Sequence, residues 1–391
     1  MTYKILKLTF LYFSKWMGLF YVSRYITRQG LRILCYHGFS LTDESRFRPQ
    51  LFIDPATFRN RLRFLSRKEF SVLKLDQALD RLVQGNLPRC ATVITIDDGF
   101  FSVYQCGLKL LKEFNFPVTV YVNTYWCMNG NPVFRLLVQY MFWKTERRQI
   151  DLTGLGVPQS GPISLQDKGE KDQVMWNIIN FGQTQCEDAQ RCAIAGALGE
   201  RLGVDDDMIA KSRIFGLINP REIREMVHSG IDIQLHTHSH SFPEDEILAT
   251  QEIAANRAML EPLVGKTLQH FCYPRGFWSE KQWSWLAAAG IKSAATCEPG
   301  LNDTETPPLA LKRFLDGEHI SQVEFEAEVS GYIELFRLAR SRMERGVFSA
   351  HHRFPRRGPG EVQELRWPIP EPRGESPDHL LAGGEPNHPS E

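Results

Sequence analysis

The chain has 391 residues, and equal numbers of basic and acidic side chains (46 of each) give it no formal net charge at pH 7. We therefore predict no nucleic-acid partner, because nucleic-acid binding usually needs a strongly basic surface. The sequence contains no run of 18 apolar residues, so it predicts no membrane-spanning helix. The eight cysteines are scattered without a C-x-x-C pair, which is typical of thiols in a reducing compartment, and we expect a cytoplasmic location.

The amino-terminal segment, residues 1–30, is basic and rich in aromatic side chains. Residues 1–42 contain six basic residues and no acidic one. At about 100° per residue, one face of an amphipathic helix would carry Lys4, Lys7, Ser14, Lys15 and Gly18. A signal peptide is disfavoured because Lys15 interrupts the apolar run. Two interpretations stay open: the helix packs on the following domain, or residues 1–28 make a peripheral contact with the anionic inner face of a membrane.

Between residues 31 and 345, apolar runs that end in polar residues predict the strands of one domain. The runs are 31–37, 71–75, 92–98, 117–123, 230–236, 268–274 and 292–297. Helical signals separate several of them, such as Asp54-Pro55 and Asn219-Pro220, where an N-cap residue precedes a proline at the first helical position. Strands that alternate with helices indicate a parallel α/β sheet or barrel. The alternation fails at about 124–218, where we predict a largely helical insertion.

The first candidate site follows the buried strand around Ile96, where Asp97 and Asp98 precede a glycine. In parallel α/β folds, sites form at the carboxyl ends of strands. Two adjacent carboxylates point in different directions, so one can bind a metal while the other acts as a base. An ordinary strand-ending turn is the alternative, because Asp-Gly is common in turns.

The second candidate site is the sequence His236-Thr237-His238-Ser239-His240. Imidazole is the commonest metal-ligating side chain. If the chain turns helically, His236 and His240 share a face, whereas a continued strand would align all three histidines. One Asp with two His leaves coordination positions open, as in catalytic Zn²⁺ sites, although Co²⁺ or another divalent ion is an alternative.

A third strand end carries Tyr273, Pro274, Arg275 and Gly276. Proline and glycine shape a tight loop, and its backbone N–H groups are candidates to face a developing oxyanion. A plain turn is the alternative, since proline and glycine are the usual turn residues.

Together, these motifs resemble those of the polysaccharide deacetylase family (the NodB-homology domain, carbohydrate esterase family four). The resemblance rests on the sequence TIDDG at 95–99, HTHSH at 236–240, YPRG at 273–276 and CYH at 35–37. It implies a distorted (β/α)7 barrel over residues 31–345. It also implies that Asp97 is the catalytic base and that Asp98, His236 and His240 hold the metal.

The resemblance further implies that the loop 273–276 lines the site and that His37, Thr237 and His238 lie in a supporting shell. The chain departs from the family in two places. Cys272 stands where the family has an arginine that orients the catalytic Asp, and Arg275 is the candidate to replace it. The late Leu-x-His motif that supplies the general acid is not apparent, so the acid stays unassigned.

We therefore expect a metal-dependent hydrolase that removes acetyl groups from N-acetylated sugars of a polysaccharide or lipid-linked glycan. Two alternatives stay open: a metal amidohydrolase of a small non-sugar amide, and an inactive carbohydrate-binding relative. The sequence does not determine the oligomeric state. The stretch 351–391 holds eight prolines and five glycines, and we predict a disordered tail at 346–391.

Overall fold

We describe the protein from a computed structural model, in which the structure describes residues 2–205, 209 and 211–348. The last described helix runs to Phe348, slightly past the predicted domain end at 345. Beyond that point, the predicted tail lies outside the described residues. Within the described part of the chain, no helix is both long and apolar enough to span a membrane.

The strands form one large parallel sheet and two small two-stranded sheets. They are β1 (Arg32–Tyr36), β2 (Gly38–Phe39), β3 (Phe52–Ile53), β4 (Thr92–Ile96), β5 (Thr119–Val122), β6 (Gln149–Asp151), β7 (Pro162–Ser164), β8 (Asp232–Leu235), β9 (His270–Cys272), β10 (Ser293–Ala295) and β11 (Phe314–Leu315). The large sheet has the order β10-β9-β8-β5-β4-β1-β11, and its strand pairs are parallel.

One segment joins the two edges of this sheet. The Leu311 amide donates to the carbonyl of Ala294 in β10, and the Asp316 amide donates to the carbonyl of Cys35 in β1. The sheet therefore curls round on itself, and the predicted distorted (β/α)7 barrel is confirmed. Six of the seven predicted apolar runs contain a strand of this sheet. The run 71–75 contributes only an isolated bridge at Val72, and the short β11 was not predicted.

The helices cover the outside of the sheet. They are α1 (Thr2–Trp16), α2 (Leu19–Ile26), α3 (Glu44–Phe47), α4 (Pro55–Arg67), α5 (Leu75–Val83), α6 (Leu108–Phe114), α7 (Tyr125–Asn129), α8 (Phe134–Lys144), α9 (Lys168–Gln185), α10 (Asp188–Leu202), α11 (Pro220–His228), α12 (Glu246–Val264), α13 (Trp283–Ala288), α14 (Gln322–Val329) and α15 (Tyr332–Phe348). The two predicted N-caps are present: Asp54 accepts from the Ala56 amide and Asn219 from the Glu222 amide.

The predicted insertion is indeed largely helical, since it consists mainly of α7 to α10. It also contains the antiparallel pair β6–β7, which the sequence pattern did not predict. Its end is tied to the turn after β4: the Ile218 amide donates to the carbonyl of Gly99, and the Phe101 amide donates to that of Gly216. The insertion therefore braces the turn that carries the two aspartates.

The amino-terminal helix, predicted as continuous, is broken into α1 and α2. The break lies at Gly18, whose φ of 77° is left-handed and therefore suits glycine. Lys7 and Lys15 of α1 form salt bridges of 2.7 and 2.5 Å with Glu324 and Glu326 of α14. Lys7, Ser14 and Lys15 of the predicted basic face thus lie on the side that packs on the domain, whereas Lys4 is exposed.

A buried ion pair fixes the closing strand. Arg61 of α4 donates to Asp316 at 3.0 Å and to the carbonyl of Ile320, and the Tyr36 hydroxyl also donates to Asp316. Burial raises the pKa of Asp316, and Arg61 opposes that shift. These contacts hold the end of β11 against β1 and α4. They thereby set the position of the preceding residues, which reach the candidate site.

Candidate metal and catalytic site

The carboxyl ends of β4 and β8 bring the two predicted motifs together. Four non-glycine residues of the site have φ between 59 and 68°, namely Asp98, Thr237, His240 and Arg275. Left-handed backbone is unfavourable for such residues and often accumulates at functional sites. Gly99 also has a positive φ of 79°, and a Cβ there would lie 3.3 Å from Val122. A larger residue would therefore disturb the turn that positions both aspartates.

Asp97 is held by a guanidinium that the sequence analysis missed. Arg313 donates from Nη1 to Oδ1 and from Nη2 to Oδ2 of Asp97, both at 2.8 Å. Both side chains are almost fully buried. Burial alone would raise the pKa of Asp97, but the neighbouring Arg313 outweighs burial and holds that pKa below its usual range. Asp97 is therefore ionised in the folded protein.

Two thiols complete the surroundings of Asp97. The Sγ atoms of Cys35 and Cys272 lie 3.5 and 3.3 Å from Asp97 Oδ2. Burial raises the pKa of both thiols, so they stay protonated and can donate to the carboxylate. Arg313 Nη2 also lies 3.1 Å from Cys272 Sγ. The position of the missing family arginine is thus filled by a thiol, and Arg313 reaches the carboxylate from the closing segment.

The prediction that Arg275 would replace the missing arginine is wrong, because the guanidinium partner of Asp97 is Arg313. Arg275 is exposed on its loop. The sequence did hold a signal for the true partner. Leu311-Lys312-Arg313 has the spacing of the late Leu-x-His motif, with arginine in place of histidine.

Asp98, His236 and His240 converge on one point. Nε2 of His236 lies 3.3 Å from Asp98 Oδ1, and Nε2 of His240 lies 3.2 Å from the same oxygen. Asp98 Oδ1 is nevertheless buried without a hydrogen-bond partner among the described residues. The two histidines outweigh burial and hold the pKa of Asp98 well below its usual range. An ionised carboxylate oxygen thus faces two imidazole nitrogens.

These spacings fit a divalent metal. Two ligands about 2.0–2.1 Å from a tetrahedral Zn²⁺ lie roughly 3.3 Å apart, which matches the observed separations. The described residues contain two other groups of donors close enough for a metal, and both include Asp97. A cation there would lie next to the Arg313 guanidinium. The group of Asp98, His236 and His240 is therefore the better metal site.

Hydrogen bonds orient the first histidine. His236 Nδ1 lies 2.8 Å from the carbonyl oxygen of Cys272, which indicates that Nδ1 carries the proton and that Nε2 is free to bind a metal. The His236 amide donates to Asn256, and the Asn256 side chain donates to Thr124 Oγ1. The groups that orient this candidate ligand thus come from the backbone of β9 and from side chains of α12 and the start of the insertion.

His238 points away from the metal group. Its Nδ1 lies 2.9 Å from Thr124 Oγ1, and its carbonyl oxygen accepts from the Tyr125 amide. Ser239 donates from its amide and its hydroxyl to Glu252. These contacts tie the loop to its neighbours and direct His236 and His240, rather than His238, towards Asp98.

The remaining predicted site residues lie at different depths. His37 Nε2 is 4.0 Å from Asp97 Oδ2, and its side chain is 20% exposed, whereas Thr237 is fully buried. Tyr273 is buried and donates to the carbonyl of Leu309, and Pro274 is also buried. The Gly276 amide donates to the carbonyl of Tyr273, which removes it as an oxyanion donor. Tyr273 and Pro274 therefore adjoin the site by packing, whereas the charge of Arg275 acts on His240.

The comparisons with known proteins bear on the family and on the fold. Residues 192–294 match the sequence model of the family described as polysaccharide deacetylase. The predicted resemblance to that family is thus confirmed over the segment that carries the histidines. Among curated protein sequences, none matches the chain.

Solved structures share the fold. The deacetylase PplD of Streptococcus pyogenes, in complex with acetate, superposes with a TM-score of 0.51 at 15% identity, covering 78% of this chain and 99% of that one. IcaB from Ammonifex degensii gives a TM-score of 0.48 at 19% identity, over 77% of this chain and 97% of that one. At 15% identity, the similarity to the PplD structure shows the fold alone.

We expect the purified protein to bind about one divalent metal ion per chain. His240→Ala should lose at least tenfold in affinity for Zn²⁺, because it removes one of three converging donors. His238→Ala is the matched control and should keep the metal. Elemental analysis and a Zn²⁺ titration measure both, with circular dichroism as the folding check. Metal that is kept in His240→Ala but lost in His238→Ala would contradict the ligand set.

Proposed function

We propose that the protein is a metal-dependent hydrolase that removes acetyl groups from N-acetylated sugars of a polysaccharide or lipid-linked glycan. The observation that carries this proposal is the ionised, arginine-bound Asp97 next to the converging Asp98, His236 and His240. The family match and the barrel fold support carbohydrate deacetylation. The dependence on a metal and the identity of the glycan are what we propose beyond this.

Asp98, His236 and His240 would hold the metal. A divalent ion bound there supplies Lewis-acid polarisation of an amide carbonyl and lowers the pKa of a bound water. Asp97 accepts the proton of the water that adds to the carbonyl carbon. Arg313 keeps Asp97 ionised and, through two parallel hydrogen bonds, fixes the plane of its carboxylate.

Breaking the C–N bond releases acetate and an amine, and the amine nitrogen must gain a proton. We assign this donation to His37, which lies beside Asp97 and is partly exposed. Imidazole is the side chain most often used for such transfers. The buried thiols of Cys35 and Cys272 are unsuited, because burial raises their pKa values.

An exposed aromatic residue next to the loop is a candidate to stack on a sugar ring, which a small amide would not need. Phe277 follows the loop 273–276 and is 66% exposed, and the neighbouring Trp278 is stacked on Trp283. Aromatic faces suit the apolar faces of sugar rings. The structure also weakens the inactive alternative, since the arginine missing from position 272 is replaced in space by Arg313.

Asp97→Asn should keep the metal and lower kcat for acetate release from N-acetylglucosamine oligomers by about 10²–10⁴-fold, the usual contribution of a general base. Asp303→Asn on an exposed turn is the matched control and should release acetate at the wild-type rate. Enzyme-coupled detection of acetate measures the rate. Normal turnover in Asp97→Asn would refute the assigned base. Metal-loaded wild type that releases no acetate would favour the inactive alternative.

Arg313→Gln should move the acidic limb of the pH profile of kcat/KM to higher pH. Without the guanidinium, burial raises the pKa of Asp97 against only the weaker opposing effects of His37 and His236, so the base is protonated at a higher pH. The pair contributes stability above the ordinary pKa of Asp, and this contribution is lost as the pH falls through the lowered folded value. The variant should therefore also lose about 3–5 kcal/mol of unfolding free energy.

Arg313→Lys is the companion variant, because it keeps the charge but not the two parallel hydrogen bonds. It should show a smaller shift of the acidic limb. Chemical denaturation and the pH profile measure the two effects separately. An unchanged acidic limb in folded Arg313→Gln would contradict the role of Arg313.

His37→Gln should lower kcat for acetylated sugars by about 10²–10⁴-fold but leave hydrolysis of 4-nitrophenyl acetate nearly unchanged. The nitrophenolate leaves without protonation, so an acid that acts only on the leaving group is not needed for it. His228→Gln, at an exposed helix end, is the matched control. Equal losses on both substrates would assign His37 another role.

A further inference from the structure

The amino-terminal helices present an apolar surface that no other described residue covers. We define the outward face as Ile5, Leu6, Tyr12, Phe13 and Trp16 of α1 with Tyr21, Val22, Tyr25 and Ile26 of α2. Each of these side chains is at least half exposed, and Trp16 is 79% exposed. So many large apolar side chains in 26 residues form a patch of the kind that marks a binding surface rather than ordinary exposure.

Helix α1 packs on the domain by a side that mixes charged, polar and apolar residues, since Leu8 and Leu11 join Val323, Ala327 and Tyr332 in one apolar cluster. Soluble amphipathic helices turn their apolar side to the core. Here the packed side carries Lys7 and Lys15, which pair with α14, and Ser14, which accepts a hydrogen bond from Tyr332. Leu11 is the one fully buried large apolar residue of α1.

The outward face carries no charge within its arc. At about 100° per residue, the positions of Ile5, Leu6, Thr9, Tyr12, Phe13 and Trp16 fall within an arc of roughly 120°. Thr9 is the only polar member of that group. Helix α2 repeats the pattern, because it buries Phe20 and Ser23 and exposes its remaining apolar residues.

The charges around this face have one sign. Residues 1–42 contain no acidic side chain. Lys4 is exposed on α1, and Arg28 stacks on Tyr25 with its guanidinium carbon 4.0 Å from the ring centroid. Arg24 donates to the carbonyl of Lys68 and adds a further positive charge. A partner that matches this surface has an apolar interior and carries anionic groups at its boundary.

We propose that the outward face docks on an anionic lipid surface, with α1 and α2 lying in the interface. Apolar side chains would enter the acyl boundary, and the Tyr and Trp rings suit the headgroup level. Lys4, Arg24 and Arg28 would meet anionic headgroups. The interaction is independent of the proposed catalysis, since none of these residues belongs to the candidate site.

A second copy of the chain fits this face less well. Two such faces brought together would place positive charges against positive charges, with no acidic residue in 1–42 to offset them. An anionic bilayer supplies the opposite charge over the whole surface. Charge complementarity therefore favours lipid.

The test is co-sedimentation of the full-length protein with phosphatidylcholine vesicles, with and without phosphatidylglycerol. Wild type should bind the anionic vesicles, and added salt should weaken the binding. Tyr12→Ser/Trp16→Ser should lower the partition coefficient by about tenfold or more, because it removes two aromatic side chains that would be buried in the lipid. Lys4→Gln/Arg28→Gln should lower it several-fold on anionic vesicles only.

The matched control is Val83→Ser/Ile247→Ser, which removes two exposed apolar side chains elsewhere and should bind like wild type. Light scattering reports the oligomeric state of each variant. The proposal is overturned if wild type ignores anionic vesicles or if Tyr12→Ser/Trp16→Ser binds unchanged. It is equally overturned if wild type is a dimer that this variant converts to a monomer. Acetate release from soluble oligomers by the same variant is a separate readout and should stay at the wild-type rate.

Discussion

The pair of Asp97 and Arg313 is the interaction on which the rest of the site depends. It places two opposite charges out of contact with water, so each would be costly to bury alone. Two parallel hydrogen bonds compensate for this cost and fix the carboxylate plane. The pair also joins β4 to the segment that closes the barrel. The closed fold and the ionised state of Asp97 therefore depend on the same contact.

The surrounding structure keeps this arrangement rigid. Arg61 and Asp316 hold the closing strand against β1 and α4, and the end of the insertion is bonded to the turn after Asp98. The start of the insertion contacts His238. Left-handed backbone at Asp98, Thr237 and His240 is unfavourable by itself and persists because these neighbours hold it. The insertion thus supports the site as well as covering the barrel.

Ion pairs also attach the amino-terminal helix α1, but at a different surface of the domain. The salt bridges of Lys7 and Lys15 and the apolar contacts of Leu8 and Leu11 attach one side of α1. Other aromatic and aliphatic side chains are left facing outward. An apolar face costs free energy in water, and docking on lipid would remove that cost. The sequence analysis had left packing and membrane contact as alternatives, but one helix can do both with opposite faces.

The resemblance to a known family, rather than local spacing, selected Asp98, His236 and His240 as one group. Local sequence patterns were sufficient to predict the strands that carry the motifs and the helical insertion. Such features depend on residues near one another in the chain or on the common edge of a parallel sheet. Only the tertiary structure revealed Arg313 as the partner of Asp97, because the two lie 216 residues apart and β11 is too short to show a periodicity. Likewise, amphipathicity showed that α1 has two faces, but which face packs depends on Glu324, Glu326 and an apolar cluster around Tyr332, more than 300 residues away. The spacing of Leu311-Lys312-Arg313 marks the arginine, but a local pattern does not show which distant carboxylate it meets.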